Sequence, residues 1–219
     1  MGTDVITIDG PTSSGKNSVG FLLAQKLGYQ YIDSGMIYRA GCLKILNAGI
    51  SLDDKEQILD IYRNLNVNFK MNSGWKMFLD GVDVTDSLHT PKISELTSKV
   101  SAMQAVRDIM KDIQRKIAKD GQVVMSGRDV GSEIFPDSRF KFFLTASQEV
   151  RAKRRFKQLQ NIDPLIKYED VLEDMIERDK RDSEREASPM RVPKEAVVID
   201  NSNLSVEQTV DEMIKSIRN

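Results

Sequence analysis

Residues Gly10-Pro11-Thr12-Ser13-Ser14-Gly15-Lys16-Asn17-Ser18 set glycines, hydroxyls and a lysine between the apolar run Val5-Ile6-Thr7-Ile8 and a helix-like run from Val19 to Leu27. The chemistry that needs this arrangement is the grip of a phosphate chain. Glycines let the backbone bend toward an anion, successive N–H groups form a concave nest of donors, and a helix start adds partial positive charge. Lys16 then reaches the terminal phosphates. The usual spacing has Ser or Thr directly after the lysine. Here Asn17 intervenes, and the hydroxyl of Ser18 is expected to aim at an inner phosphate rather than at a metal ion.

Three further segments place charge where such a loop needs company. Asp33-Ser34-Gly35-Met36-Ile37-Tyr38-Arg39 follows a second strand-like run; it offers either an ordinary capped helix with a surface arginine or a second anion site. Ser126-Gly127-Arg128-Asp129-Val130-Gly131 follows a third such run, and a loop exposing Arg128 and Asp129 beside a phosphate site is placed to touch a ligand. In Glu177-Arg178-Asp179-Lys180-Arg181-Asp182-Ser183-Glu184-Arg185, the residues Arg178, Arg181, Asp182 and Arg185 share one helical face. That face suits either a solvated ladder of ion pairs or a phosphoryl group in transfer, where catalysis rests on positioning and charge. Nothing is placed for covalent catalysis: Cys42 lies outside these motifs and reads as core filler, and the single histidine, His89, has no partner in the sequence.

The elements that must position these residues are short apolar runs alternating with helix-length segments. Tyr29-Gln30-Tyr31-Ile32, Gln122-Val123-Val124-Met125, Phe140-Lys141-Phe142-Phe143-Leu144 and Ala196-Val197-Val198-Ile199 join the first run in a parallel sheet covered on both sides, with the active site at the strand C-termini. From about Ile50 to Pro91 the alternation is interrupted. Val67-Asn68-Phe69-Lys70-Met71 and Lys76-Met77-Phe78-Leu79 flank Asn72-Ser73-Gly74-Trp75, a hairpin signal, and Asp80-Gly81 adds a turn. Thr90-Pro91 starts a long helix expected to run to about Ala118, and Ser205 with Gln208 starts the last one.

With 219 residues, 40% of them apolar and 30% charged, the chain suffices for one full core with an inserted lobe. A net charge of −1 gives no argument for a nucleic-acid partner, and no apolar run approaches membrane-spanning length, so the expectation is a cytoplasmic protein without nucleic-acid or membrane contact. One cysteine and one histidine supply neither an internal disulfide nor a structural zinc site.

Ile8-Asp9-Gly10-Pro11 with Gly15-Lys16, Asp33-Ser34-Gly35 with Tyr38-Arg39, Gly127-Arg128-Asp129 with Gly131, Phe135-Pro136-Asp137, and Glu177-Arg178-Asp179 with Arg181-Asp182 and Arg185 together resemble the bacterial cytidylate kinases, members of the P-loop nucleoside monophosphate kinases. The resemblance runs nearly end to end. It implies an α/β fold, the P-loop NTPase three-layer sandwich, with a five-stranded parallel core sheet, an inserted NMP-binding β lobe and a short lid. The core would comprise residues 1–39 and 119–219, with the lid at about 154–166, and the insertion with its connecting helices residues 40–118. The implied reaction is transfer of the γ-phosphate of ATP to CMP or dCMP, with Mg2+, giving CDP or dCDP and ADP in pyrimidine nucleotide metabolism. A monomer whose partners are these small nucleotides is the family expectation.

Residue by residue, the resemblance gives the ATP phosphates to Gly10, Pro11, Thr12, Ser13, Ser14, Gly15, Lys16, Asn17 and Ser18, with Arg154 and Arg155 closing over them from the lid. It gives the CMP phosphate to Ser34, Arg39, Arg128 and Arg185, the sugar hydroxyls to Arg178 and Asp182, and the base to Ser98, Arg107 and Asp129. Lys16, Arg128, Arg181 and Arg185 are the implied catalytic cations. The base assignment agrees with cytosine chemistry: its amino group donates to a carboxylate such as Asp129, while O2 and N3 accept from Ser98 and Arg107. The sequence departs from the family pattern at Asn17, at Ser132 in place of threonine, and at Ser126, where the family usually has an aspartate. No direct metal ligand is expected; water-mediated magnesium contact is expected near Asp9 and Ser126. Two rival readings stand beside this one, a P-loop kinase for UMP, dTMP or a non-nucleotide acid, and a nucleotide-binding sensor that has lost transfer, the latter supported only by Ser126.

Overall fold

The computed structural model describes residues 4–71, 74–161 and 163–218. Along the chain run β1 (Val5–Asp9), α1 (Lys16–Leu27), β2 (Gln30–Asp33), α2 (Ser34–Ala48), α3 (Lys55–Arg63), β3 (Val67–Lys70), β4 (Lys76–Leu79), β5 (Val82–Asp83), a 3-10 turn (Asp86–His89), α4 (Pro91–Val100) and α5 (Gln104–Ile117). They are followed by β6 (Val123–Ser126), a π-helical turn (Val130–Ile134), β7 (Phe140–Thr145), α6 (Gln148–Gln160), α7 (Tyr168–Glu184), β8 (Val197–Asp200) and α8 (Val206–Arg218).

The expected parallel sheet is present, in the order β2-β6-β1-β7-β8. β1 lies at its centre and is buried throughout, which is why it reads as a continuous apolar run rather than an alternating one. The two-residue period sorts its neighbours to opposite faces. Val5, Ile32, Val123 and Met125 join one hydrophobic cluster with α2, α4 and α5, while Ile6, Ile8, Tyr31, Val124 and Phe142 join a second with α1 and α8. All strand C-termini therefore point the same way, and Asp9, Asp33 and Ser126 lie along one edge in near register.

β3, β4 and β5 form a separate antiparallel sheet, with Phe69 opposite Met77 and Val67 opposite Leu79. Phe69, Met77 and Leu79 belong to the same cluster as Val5 and Ile32, so the insertion shares a core with one face of the main sheet. It also covers the outer edge of β2: the Tyr31 N–H donates to Met71 Sδ at 3.0 Å, and Trp75 Nε1 donates to the Tyr31 carbonyl at 3.1 Å. An exposed strand edge is a template for unwanted pairing, and this one is covered. The tip of the expected hairpin, Asn72 and Ser73, lies outside the described residues.

The helix expected from Pro91 to Ala118 is two helices. The N–H groups of Ala102 and Met103 turn back to Lys99 and Val100, three residues earlier, and tighten the end of α4. The break releases the Ser101 carbonyl, which accepts from Arg107 at 3.0 Å. No glycine or proline marks residues 101–103, so nothing local signalled it. The expected caps are present: Thr90 accepts from the Ile93 N–H, and Ser205 and Gln208 bond each other's backbone reciprocally.

Candidate active site

The loop after β1 turns into α1 through Gly15, whose φ of 90° is the left-handed conformation that a side chain disfavours. Lys16 is buried and folds back across its own loop. Its ammonium donates to the carbonyls of Gly10 and Pro11 at 2.8 and 2.7 Å and to Ser14 Oγ at 3.3 Å. Burial, with Arg128 nearby, pulls its pKa well below the ordinary lysine value.

Thr12 is held from three sides. Its N–H donates to Asp179 of α7 at 2.8 Å, its carbonyl accepts from Arg151 of α6 at 3.0 Å, and its hydroxyl accepts from Arg128 at 3.1 Å. Arg151 and Asp179 also pair with each other. Asn201, just past β8, donates to the Ser14 carbonyl at 2.9 Å and accepts from Arg154 at 3.0 Å. The Asn17 amide donates to Asp33 at 2.6 Å and so ties the loop to the end of β2. Asp33, rather than Ser34, caps α2, accepting from the Gly35 N–H at 2.9 Å.

Opposite the loop lies a cleft of about 450 Å³, lined by Thr12, Ser13, Gly15, Lys16, Asn17 and Ser18 on one side. Ser34, Arg39, Arg107, Arg128, Asp129, Arg155, Arg178, Asp182 and Arg185 line the rest. Asp129 is the hub at its far end. It pairs with Arg107 and lies 3.4 Å from Arg185, whose other nitrogen is 3.6 Å from Asp182. Asp182 also accepts from Arg128 at 2.9 Å. Burial opposes the Asp182 charge, yet Arg128, Arg178 and Arg185 outweigh it and hold the carboxyl below its usual range.

The arginines show the reverse strain. Burial, aided by neighbouring guanidinium groups, pushes Arg178 down to about 10 and holds Arg39 and Arg185 below their ordinary value. Among the described residues, Arg39, Arg155 and Arg178 have no carboxylate in ion-pair range. Cations crowded into a concave, partly desolvated space are matched by an anion, and the phosphate loop forms the opposite wall.

Several expected site residues lie elsewhere. Arg181 is exposed and donates to Ser98 Oγ at 3.0 Å. Both line a neighbouring hollow of about 290 Å³ that shares Ser101, Asp182 and Arg185 with the main cleft. The four residues expected on one helical face are thus divided. Arg178 and Asp182 turn into the cleft, Arg181 reaches toward α4, and Arg185 has already left the helix, its Nε donating to the Ser188 carbonyl at 2.8 Å. Of the lid pair, Arg155 lines the cleft and Arg154 is fixed on Asn201. Gly10, Pro11 and Ser14 shape the loop from beneath, receiving Lys16.

The two positions expected near magnesium are committed to the fold. Ser126 Oγ shares a 2.7 Å hydrogen bond with the buried Tyr31 hydroxyl, and both oxygens of Asp9 accept backbone N–H groups. Among the described residues no group of three or more carboxylate, histidine or cysteine side chains is gathered to hold a metal ion. Thr12, Ser13, Ser18, Asp33 and Ser34 all bring oxygen-bearing side chains to the cleft beside the loop, a set suited to a magnesium ion that arrives on phosphates and keeps most of its water.

Tyr38, His89, Ser94 and Ser101 also line the cleft and were not expected there. Ser94 accepts from Arg39 at 3.0 Å, and the Arg107 guanidinium lies 5.8 Å over the Tyr38 ring. Asp179 carried a sequence signal, standing beside Arg178 in a charged motif. Asn201 carried another, following directly on a strand at the sheet edge where ligands bind. Arg151 carried none.

A family model described as cytidylate kinase matches residues 6–219. A cytidylate kinase of Caldanaerobacter subterraneus subsp. tengcongensis is 45% identical over 97% of this chain and 94% of its own length. One from Caldicellulosiruptor saccharolyticus is 41% identical over 96% and 93%. Among solved structures, shikimate kinase from Bacteroides thetaiotaomicron superposes with a TM-score of 0.51 at 13% identity, covering 98% of both chains, a likeness of fold alone.

Proposed function

The chain belongs to the cytidylate kinase family, and on that premise we propose that it transfers the γ-phosphate of ATP to CMP or dCMP, yielding CDP or dCDP and ADP. The observation that carries the reading is the facing of two unlike walls across one cleft: a phosphate loop on one side and, on the other, the carboxylate of Asp129 braced by Arg107 and Arg185. Arginines Arg39, Arg128, Arg155 and Arg178 lie between them.

The donor phosphates lie over the loop from Gly10 to Ser18, and Lys16 leaves the carbonyls of Gly10 and Pro11 to follow them. Ser34, Arg39, Arg128 and Arg185 hold the acceptor phosphate; Arg178 and Asp182 take the sugar hydroxyls. Asp129 accepts from the cytosine amino group, with Arg107 donating to the ring. Ser98 accepts from Arg181 and keeps its own O–H to donate to the base, with Arg181 beside it in the adjoining hollow. Arg154 and Arg155 act from the lid, Arg155 from where it already stands. The acceptor phosphate oxygen is itself nucleophilic, so the residues position, neutralise charge and exclude water, and no covalent intermediate is required. Magnesium, when bound with ATP, would supply charge neutralisation on the phosphates, and Asp33 with the hydroxyls of Thr12 and Ser13 lines the cleft where its water shell would be held.

A coupled assay with MgATP and CMP, dCMP, UMP or dTMP, with the diphosphate product identified, tests the reading. CMP and dCMP should far outpace UMP, because uracil turns an oxygen toward Asp129. Asp129→Ala should lower kcat/KM for CMP by at least about tenfold and erase most of the preference over UMP. Unchanged CMP turnover in that variant would remove Asp129 from the base site.

A further inference from the structure

Asp9 is completely buried at the end of β1, one residue before the phosphate loop. A buried carboxylate needs partners, and its partners are neither a cation nor the loop that follows. One oxygen accepts the Val130 N–H at 2.8 Å and the other the Gly131 N–H at 2.7 Å. These are the two residues directly after Asp129. The same segment is anchored at its start, where the Gly127 N–H donates to the Ile8 carbonyl at 3.0 Å. The backbone carrying Arg128 and Asp129 is thus fastened at both ends to the last two residues of β1. The approach is close: a Cβ on Gly131 would come within 2.7 Å of Thr7 Oγ1 and 3.2 Å of Asp9. Only a residue without a side chain lets this loop lie against β1.

We infer that Asp9 is a positioning residue for base selection, holding Asp129 at its working height through the Val130 and Gly131 amides. The inference rests on the reading of Asp129 as the group that meets the base. Asp9 is fully buried and does not line the cleft, so its effect passes through the loop. Holding both amides takes two acceptors on one planar group, which a carboxylate has and a carboxamide lacks. In Asp9→Asn the shape is kept, but the NH2 group faces a backbone N–H and one of the two bonds is lost. Because Asp129 is shared among Arg107, Arg185 and the ligand, a shift of its backbone is felt first as weaker and less selective acceptor binding.

The test compares the full-length wild type with Asp9→Asn by calorimetric titration of CMP and of ATP separately, and by kcat/KM for CMP and UMP. The expected result is a CMP affinity lowered about tenfold, the factor that one lost buried hydrogen bond commonly carries. The CMP over UMP ratio should narrow, and ATP affinity should stay within about twofold. Unchanged CMP affinity and selectivity would overturn the inference, as would an equal loss of ATP affinity, which would make Asp9 a general support for the cleft rather than a positioning residue for the base. Where Asp9→Asn does not fold, Gly131→Ala crowds the same contact from the loop side and should show the same pattern; unchanged CMP affinity there overturns it too. Wild-type turnover of CMP tests the functional reading by itself, whereas the variant-to-wild-type ratio of CMP binding tests the role of Asp9.

Discussion

At the scale of single residues, most ionisable groups stay in solvent, and the few that are buried cluster mainly around the phosphate loop and the cleft, where desolvation is costly. Lys16 is the sharpest case, an ammonium with little solvent, satisfied by carbonyls of its own loop. On the proposed reading, those carbonyls release it to the arriving phosphates. Lys16→Ala should therefore reduce transfer by at least about a hundredfold while leaving CMP affinity within a few-fold, measured by steady-state kinetics and calorimetry. Asp9 gives a prediction about stability. Burial, the largest cause, together with Asp129 outweighs two backbone hydrogen bonds and pushes its pKa from 3.8 up to about 6. The native state then holds the proton more tightly than the unfolded chain, so this group's stabilising contribution is complete below pH 4 and lost as pH rises through 6. The loss amounts to as much as about 3 kcal/mol, an upper value from the shift alone. Denaturant unfolding at pH 4.5 and 7 should show the stability difference between Asp9→Asn and wild type moving in favour of the variant at the higher pH; a pH-independent difference would refute the assignment.

At the scale of elements, the phosphate loop is braced by helices distant in sequence. Arg151 on α6 and Asp179 on α7 grip the Thr12 peptide from both sides, so these two helices are tied to the loop that follows β1. Asp179→Ala should leave the Arg151 guanidinium buried and unpaired and should cost about 3 kcal/mol of unfolding free energy, with weaker ATP binding. Urea unfolding and ATP titration would check both parts, and a variant as stable as wild type would show the pair to be dispensable. Ser126 works away from the cleft: its hydroxyl is used inside the sheet by Tyr31, whose ring packs against Trp75 of the insertion, 6.1 Å between centroids. The serine that stands at an expected metal-facing position thus helps to fasten the insertion to the core.

At the scale of the whole molecule, a net charge of −1 conceals a strongly cationic cleft. Acidic residues elsewhere balance the sum, but within the cleft Arg39, Arg178 and Arg185 are held below their ordinary pKa, chiefly by burial and with help from neighbouring guanidinium groups. Any anion that fits the cleft should stabilise the fold. Sulfate or inorganic phosphate at roughly 10–50 mM, a range set by binding linkage with millimolar affinity, should raise Tm by several degrees over chloride at equal ionic strength. Arg178→Ala should reduce the rise; an equal rise in that variant would place the anion elsewhere.

The local sequence determined the strand-loop-helix around Lys16, the parallel alternation of the core, the caps at Thr90 and Ser205, and the arginine and carboxylate motifs at strand ends, because each is written in neighbours a few residues apart. It could not determine the break between α4 and α5, the separation of Arg181 from Arg178 and Asp182, or the placing of Arg155 rather than Arg154 in the cleft. Those depend on where a helix meets another element, as when Ser98 receives Arg181 or Asn201 receives Arg154. Asp9 illustrates the division most clearly. Its type and place beside the loop are legible in the chain, but its partners lie more than a hundred positions away. Only the pairing of β1 with β6 brings their amides within reach, since a buried carboxylate takes whatever donors the tertiary fold delivers.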